Sequence, residues 1–506
     1  MQLFLMLALI AACLPIDWPA PIAHLSRDGS LILLVCSLSV QLGLAAALTF
    51  IARVQLLNEP GKQQSILSHY GLARTCYFFV NLGIYACNLV FFGWGWVVQQ
   101  NCMIPWGENQ IFLPFGEILI LAPFFIAHLG SWLIFFEFDR IILASKIANQ
   151  GDHPAWTRGA YVIFLFRQHA LIVLFPVFLM IIQESLQRCL PEIYQTQWFQ
   201  IASYFSLPVL ALFFPMVVPK LLGLKPLPAG SVRSRMERNA KRLDFRYSQI
   251  FLWPTRGSVA NAMILGLIPQ IRYVVFTDRL LQELNEHEVD AVFGHEMGHA
   301  RHYHPLYYLF FLYMSVTCLA AALQLLLPEE NPLDSKYRSL ILVVPVALTA
   351  FYLFAVFGFL SRRCERQADI FGCKAVSCGH FDCASHDEST QYPAGGHALC
   401  RTGIHIFMHS LARVKDLNGL DNPSDRQARS TILGKCTGLL KKASSWLQTW
   451  QHATINERIL FLEQMAQHPE IERKFQIRLL WLRCFIAAVL IGFLAWLLIF
   501  HDFDFF

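Results

Sequence analysis

The sequence predicts a mainly α-helical, polytopic membrane protein of about eight or nine transmembrane helices, with polar segments that hold a small β-sheet. The first sign is composition: 55% of its 506 residues are hydrophobic, only 15% are charged, and phenylalanine occurs 42 times. Soluble cores could not hide that much apolar surface, so a bilayer is the natural solvent. The second sign is length. Apolar runs of roughly 20 residues or more occur at about 30–53, 73–99, 112–136, 159–182, 199–222, 306–327, 340–361 and 478–500. The third sign is that basic residues recur in every second loop.

The first run is followed by Arg53, Lys62 and Arg74, and the third by Arg140, Lys146 and Arg158. Lys220, Lys225, Arg233, Arg235, Arg238, Lys241 and Arg242 follow the fifth, and Arg362, Arg363 and Arg366 the seventh. The intervening loops hold only Arg188, Lys336 and Arg338. By the positive-inside rule the basic loops are cytoplasmic, which places both large polar segments on that side. A ninth candidate, "LFLMLALIAACLPI" near the start, is short and contains Pro15. It lacks a basic leader, so a short span and a cleaved signal both stay open.

This divides the chain into a membrane region (1–222), a polar part (223–304), two spans (305–361), a second polar part (362–477), and a last span with a short tail (478–506). The net charge of +5 is small and dispersed, which argues against a nucleic-acid partner. Glu117, His128, Arg167 and His169 fall inside spans and should face protein or a watery cavity. The 14 cysteines are irregularly spaced and do not read as a disulfide scaffold. Cys102 and Cys189 share one side and could pair in an oxidising compartment or stay as thiols.

"VFGHEMGHARHYH", Val292–His304, carries the chemistry. His295, Glu296 and His299 form H-E-x-x-H. On a helix, positions i and i+4 share a face, so two imidazoles converge on one metal ion with a glutamate beside them to take a proton from water. Asn285 and Glu288 resemble a capping box, and Val289, Val292 and Phe293 give helical periodicity. Catalytic zinc needs a third protein ligand. His302 and His304 stand at poor offsets from His295 and read as solvated residues at the membrane boundary. Further on, "SRRCERQADIFG" places Glu365 and Asp369 at i and i+4. With Glu365 on the metal, Asp369 can hydrogen-bond a ligand histidine and fix its tautomer.

HEMGH followed by two spans and SRRCERQAD resembles the M48 family of integral-membrane zinc peptidases, which includes the CaaX prenyl proteases and HtpX. The resemblance implies a gluzincin-type peptidase region facing the cytoplasm. It also implies one Zn²⁺ per chain on His295, His299 and Glu365, with Asp369 behind a ligand. "SVANAMILGL" is similar to the family's N-A-x-x-x-G segment, which implies that Asn261, Ala262 and Met263 lie along a sheet edge that binds substrate as an added strand. "WQHATINERI" is similar to its H-P-x-x-x-x-R element, with Ala453 in place of proline. That match implies that His452 and Arg458 donate to the oxyanion.

The resulting expectation is a membrane zinc endopeptidase in which Glu296 is general base, acting on protein or peptide substrates within a lipid bilayer. The membrane is the cell inner membrane if the source is bacterial and the endoplasmic reticulum if eukaryotic. A transporter or scaffold that retains a zinc site is the rival, and Glu296 argues against it because a structural site needs no base. The insertion from Cys373 to Cys400 has C-x4-C spacings that suit a flexible reduced loop better than a second metal. Cys378 and Cys383 are the pair to watch.

Overall fold

The computed structural model describes residues 25–106, 109–147, 156–326, 352–377, 399–418, 454–468 and 470–500, with scattered positions before residue 25. His452, Ala453, Cys378, Cys383 and most of the 340–361 run lie outside the described residues.

The first half is helical. Helix α1 (Arg27–Asn58) starts where the Ser26 side chain accepts from the Gly29 amide, and its 32 residues rise about 48 Å, more than a hydrocarbon core requires. Helix α2 (Gln63–Val90) bends by 48° into α3 (Trp94–Asn101). The break falls at Gly93, whose φ of +74° suits a residue without a side chain. A short hairpin, β1 (Met103–Trp106) and β2 (Asn109–Phe112), leads into α4 (Glu117–Ile147).

Helices α5 (Arg158–His169) and α6 (Phe175–Cys189) are joined by a π-helical turn over Ala170–Leu174. Helix α7 (Gln197–Phe213) stops short of the expected 199–222 span, because Pro215 and Pro219 lead the chain into a 3₁₀ turn and a short helix. Among the described residues, three helices are long and apolar enough to cross a membrane: α1, α4 and the C-terminal α16 (Glu470–Phe500). The bent α2–α3 pair makes up to four. The expected eight or nine runs therefore include helices that are broken, short or only partly described. Outward Leu480, Trp481, Phe485 and Ile499 give α16 an apolar exterior suited to lipid.

Of the ionisable residues placed in spans, Glu117 and His128 are buried and His169 half-buried. Arg188 pairs with Glu117, and the His128 and His169 rings meet at 5.5 Å between centroids. Arg167 is exposed, and its guanidinium lies against Gly223, where the absence of a Cβ makes room for it. Cys102 and Cys189 are both free thiols.

The second half is built around a four-stranded sheet of order β3 (Lys225–Pro226), β4 (Gln249–Trp253), β6 (Tyr273–Thr277), β5 (Ala262–Leu265). Strands β4 and β6 are parallel, β5 runs antiparallel to β6, and β5 forms an edge. Helix α11 (Glu286–Arg301) follows the short α10 (Asp278–Glu283) and packs on this sheet, while α9 (Ser231–Arg242) adds Met236 and Ala240 to the core. Val289, Phe293 and Met297 recur at four-residue intervals on α11 and are buried with Ile250, Val274 and Phe276.

Candidate active site

Helix α11 begins with the capping box expected of it: the Asn285 side chain accepts from the Glu288 amide, and Glu288 reaches back to the Asn285 amide. Its four-residue periodicity repeats in register. Val289, Phe293 and Met297 bury against the sheet, Gly294 and Gly298 face a second helix, and His295 and His299 lie on the adjoining strip.

That second helix is α13 (Gly358–Val376), which bears Glu365 and Asp369. The two helices approach closely because the glycines permit it. A Cβ on Gly294 would fall 2.3 Å from Ala375 Cβ, and one on Gly298 would fall 2.9 Å from Ala368 Cα. Helix α14 (Arg401–Asn418) closes the packing, setting Phe407 where Gly372 has no side chain. The helix contact therefore sets how far the histidines stand from the carboxylates.

His295 Nε2 and His299 Nε2 face each other at 3.2 Å. Glu365 places Oε2 3.5 Å from the first and Oε1 3.6 Å from the second. Ligand atoms of these three residues lie within 4.8 Å of one another, and they are the only such metal-competent group among the described residues. A tetrahedral ion with bonds of about 2.0–2.1 Å would separate its ligands by about 3.4 Å, close to the observed spacings. Two imidazole lone pairs cannot face one another at 3.2 Å without a shared proton or cation. Two histidines and a carboxylate, with one position left for water, is also the donor set of catalytic zinc. The residues fit the metal.

Arg458 and Asp369 stand behind His295 and Glu365. Helix α15 (Ile455–Gln467) starts at Thr454 with its own capping box, and this holds Arg458 in its first turn. The guanidinium donates to both oxygens of Asp369 and lies 3.3 Å from Glu365 Oε2. Arg458 thus neutralises Glu365 and its neighbour Asp369, a use that the sequence expectation of oxyanion contact did not include. Burial opposes its charge, but Asp369, Glu365 and, more weakly, Glu296 outweigh that and hold its pKa above the ordinary value.

His295 Nδ1 is 2.9 Å from Asp369 Oδ1, with the N–H off the line to the oxygen, so the contact is chiefly electrostatic. Burial pulls the His295 pKa down, yet Asp369 and Glu365 outweigh it and lift the group to about 10. Burial would raise Asp369, but Arg458 and His295 hold it below the usual carboxylate range. His299 goes the other way: burial dominates, and the group falls to about 3.

His304 corrects a sequence reading. It is fully buried rather than solvated, with Nδ1 2.9 Å from His299 Nδ1 and Nε2 2.9 Å from Gln367 Oε1. In a continuous helix, a residue five positions on would point away. Here Tyr303 adopts a left-handed φ of +54° between α11 and α12 (His304–Leu326), which turns the chain back. No glycine marks that turn. Gln367 and Arg483, which complete this side of the site, also went unnoticed in the sequence.

Strand β5 holds Ala262 and Met263 beside α11, with Asn261 just before it. The Asn261 backbone pairs with Thr277 on β6, so the opposite edge of β5 faces away from the sheet.

Residues 226–465 match the model of peptidase family M48. Over those residues, just under half of the chain, the protein is similar to that family. A family relative, "CAAX prenyl protease 1 homolog" of Arabidopsis thaliana, is 32% identical over 104 residues, which is 20% of this chain and 24% of the relative. "CAAX prenyl protease 1" of Saccharomyces cerevisiae is 29% identical over 106 residues, 20% of this chain and 23% of the relative. The matched stretches thus span about a quarter of the curated relatives' length. A crystal structure of S. mikatae Ste24p superposes with a TM-score of 0.49 at 15% identity, covering 86% of this chain and 98% of that one.

Proposed function

We propose that the chain is a membrane-embedded, zinc-dependent endopeptidase. The observation that carries the reading is the His295–His299–Glu365 cluster at ligand spacing, inside an M48 region, with Glu296 as the next residue on the same helix turn. One zinc ion held there would polarise the scissile carbonyl and acidify a water.

The chain's own residues supply the remaining steps. The β5 edge at Asn261, Ala262 and Met263 offers backbone groups that hold a substrate as an added strand across α11. Glu296 takes a proton from the attacking water and gives it to the leaving amine. Asp369 keeps the His295 proton on Nδ1, leaving Nε2 to bind metal. Arg458 neutralises Glu365 and Asp369, and with His452 it lies in the segment assigned to the oxyanion. The site faces the cytoplasm, by the alternation of basic loops. The names of the relatives make a prenylated CAAX peptide the first defined substrate to try.

The test pairs zinc content with cleavage of an unfolded protein and of such a peptide, for wild type, Glu296→Gln and Glu365→Ala. Expected are one zinc and cleavage in wild type, zinc with a rate at least about 100-fold lower in Glu296→Gln, and lost zinc in Glu365→Ala. A wild type that binds zinc and cleaves neither substrate favours the scaffold reading, and full zinc in Glu365→Ala removes the third ligand.

A further inference from the structure

The back of His299 holds a connected set of side chains whose donors and acceptors follow from one donor-only anchor, Arg483. Arg483, on α16, donates from Nη2 to Gln367 Oε1 at 2.9 Å. A guanidinium has only donors, so the Gln367 atom facing it must be the carbonyl oxygen. With that orientation, Gln367 Nε2 donates to Gln476 Oε1, also on α16. His304 Nε2 meets that carbonyl oxygen at 2.9 Å and must therefore be the protonated nitrogen. In a neutral ring, which its burial favours, His304 Nδ1 is then an acceptor, and His299 Nδ1, which it faces at 2.9 Å, must carry the proton. A neutral His299 protonated at Nδ1 has its lone pair on Nε2, the nitrogen that faces His295 and Glu365.

We propose that Arg483, Gln367 and His304 are positioning residues that lock His299 into its metal-binding tautomer, with α16 as the anchor of that lock. His304 is completely buried and Gln367 nearly so, which keeps water from replacing the link between them. The inference rests on the zinc reading proposed above. It assigns to the last membrane-compatible helix a task in the metal site, through residues that touch neither metal nor substrate.

The experiment measures the zinc dissociation constant of the purified full chain by competition with a calibrated chelator, with zinc alone as the probe. Gln367→Met keeps the length and volume of the side chain and removes the acceptor. Its zinc dissociation constant is expected to rise by about 10–100-fold. Gln367→Glu keeps an acceptor toward both Arg483 and His304 and is expected to stay within about threefold of wild type, a rescue that a packing role would not give. His304→Leu is expected to weaken binding as Gln367→Met does. His304→Gln, whose amide can donate toward Gln367, is expected to recover part of the loss. If His304→Leu does not fold, the Gln367 pair decides alone.

A wild type that binds zinc while Gln367→Met binds it equally well overturns this inference and leaves the metal site standing. Equal losses in Gln367→Met and Gln367→Glu overturn it too. A wild type that binds no zinc overturns the metal site and the lock together.

Discussion

The two histidines of α11 stand one helical turn apart, yet the regions behind them are built on opposite principles. Behind His295 stands a charged wall: Asp369, completely buried, is held by the Arg458 guanidinium, which also touches Glu365. Behind His299 runs a largely neutral chain of His304 and Gln367 that ends on Arg483. The charged wall raises the proton affinity of His295, whereas burial among neutral groups lowers that of His299. A single pair of i, i+4 candidate ligands thus stands against two kinds of partner. The charged one is expected to supply stability along with orientation, and the neutral one orientation alone.

The sharpest way to break the comparison is Asp369→Ala. It leaves the buried Arg458 with one carboxylate instead of two, and a broken buried ion pair costs about 3–5 kcal/mol. The apparent Tm of the zinc-stripped protein should fall far more than in Gln367→Met. Equal losses would show that the charge on the His295 side adds nothing to stability.

Gly298→Ala acts on both sides at once by pushing α13 away from α11. The new Cβ would meet Ala368 Cα at 2.9 Å and Phe371 Cβ at 3.0 Å. A cost of about 1–3 kcal/mol is expected from overpacking, together with weaker zinc binding. Unchanged zinc affinity would mean that the helix spacing does not set the ligand geometry.

pH separates the two sides by sign. In the zinc-stripped protein His299 stays neutral down to about pH 3, while the unfolded chain protonates it near 6.5. The unfolded state binds more protons in that window, so stability falls as pH drops from 6.5 toward 3. His295 behaves in reverse: its contribution is complete below 6.5 and is lost as pH rises through about 10. Tm measured across this range should show His299→Gln flattening the acid limb and His295→Gln flattening the alkaline one. The same limb flattened by both variants would sink the assignment. Smallest of all, Asn285→Ala removes the cap of α11 far from either side. It should cost about 1 kcal/mol and leave zinc affinity unaltered, a control for helix stability alone.

How much of this could be read in the sequence followed from how local each signal was. The metal helix was legible because its cap, its apolar stripe and its histidines all repeat within sixteen residues at helical spacing. Glu365 and Asp369 were legible as a second i, i+4 pair. The carboxylate-to-Arg458 contact spans 89 residues of separation and the Arg483 contact 116, and no periodicity announces either. His304 was misread because its position depends on a left-handed Tyr303, which residue type does not signal. In the first half, hydropathy located the apolar runs and could not show where Gly93, the π-turn or paired prolines would break them.

The order in which the chain delivers these parts has a consequence during synthesis. The two histidines emerge first, then Glu365 and Asp369 some 70 residues later, and Arg458 only after another 89. At the pace of translation, about 5–20 residues per second, the two carboxylates wait several seconds for the arginine that neutralises them. Arg483 arrives later still. The nascent chain thus holds the proposed ligands before the residues packed behind them, and the cluster is completed only when its own C-terminal helices dock.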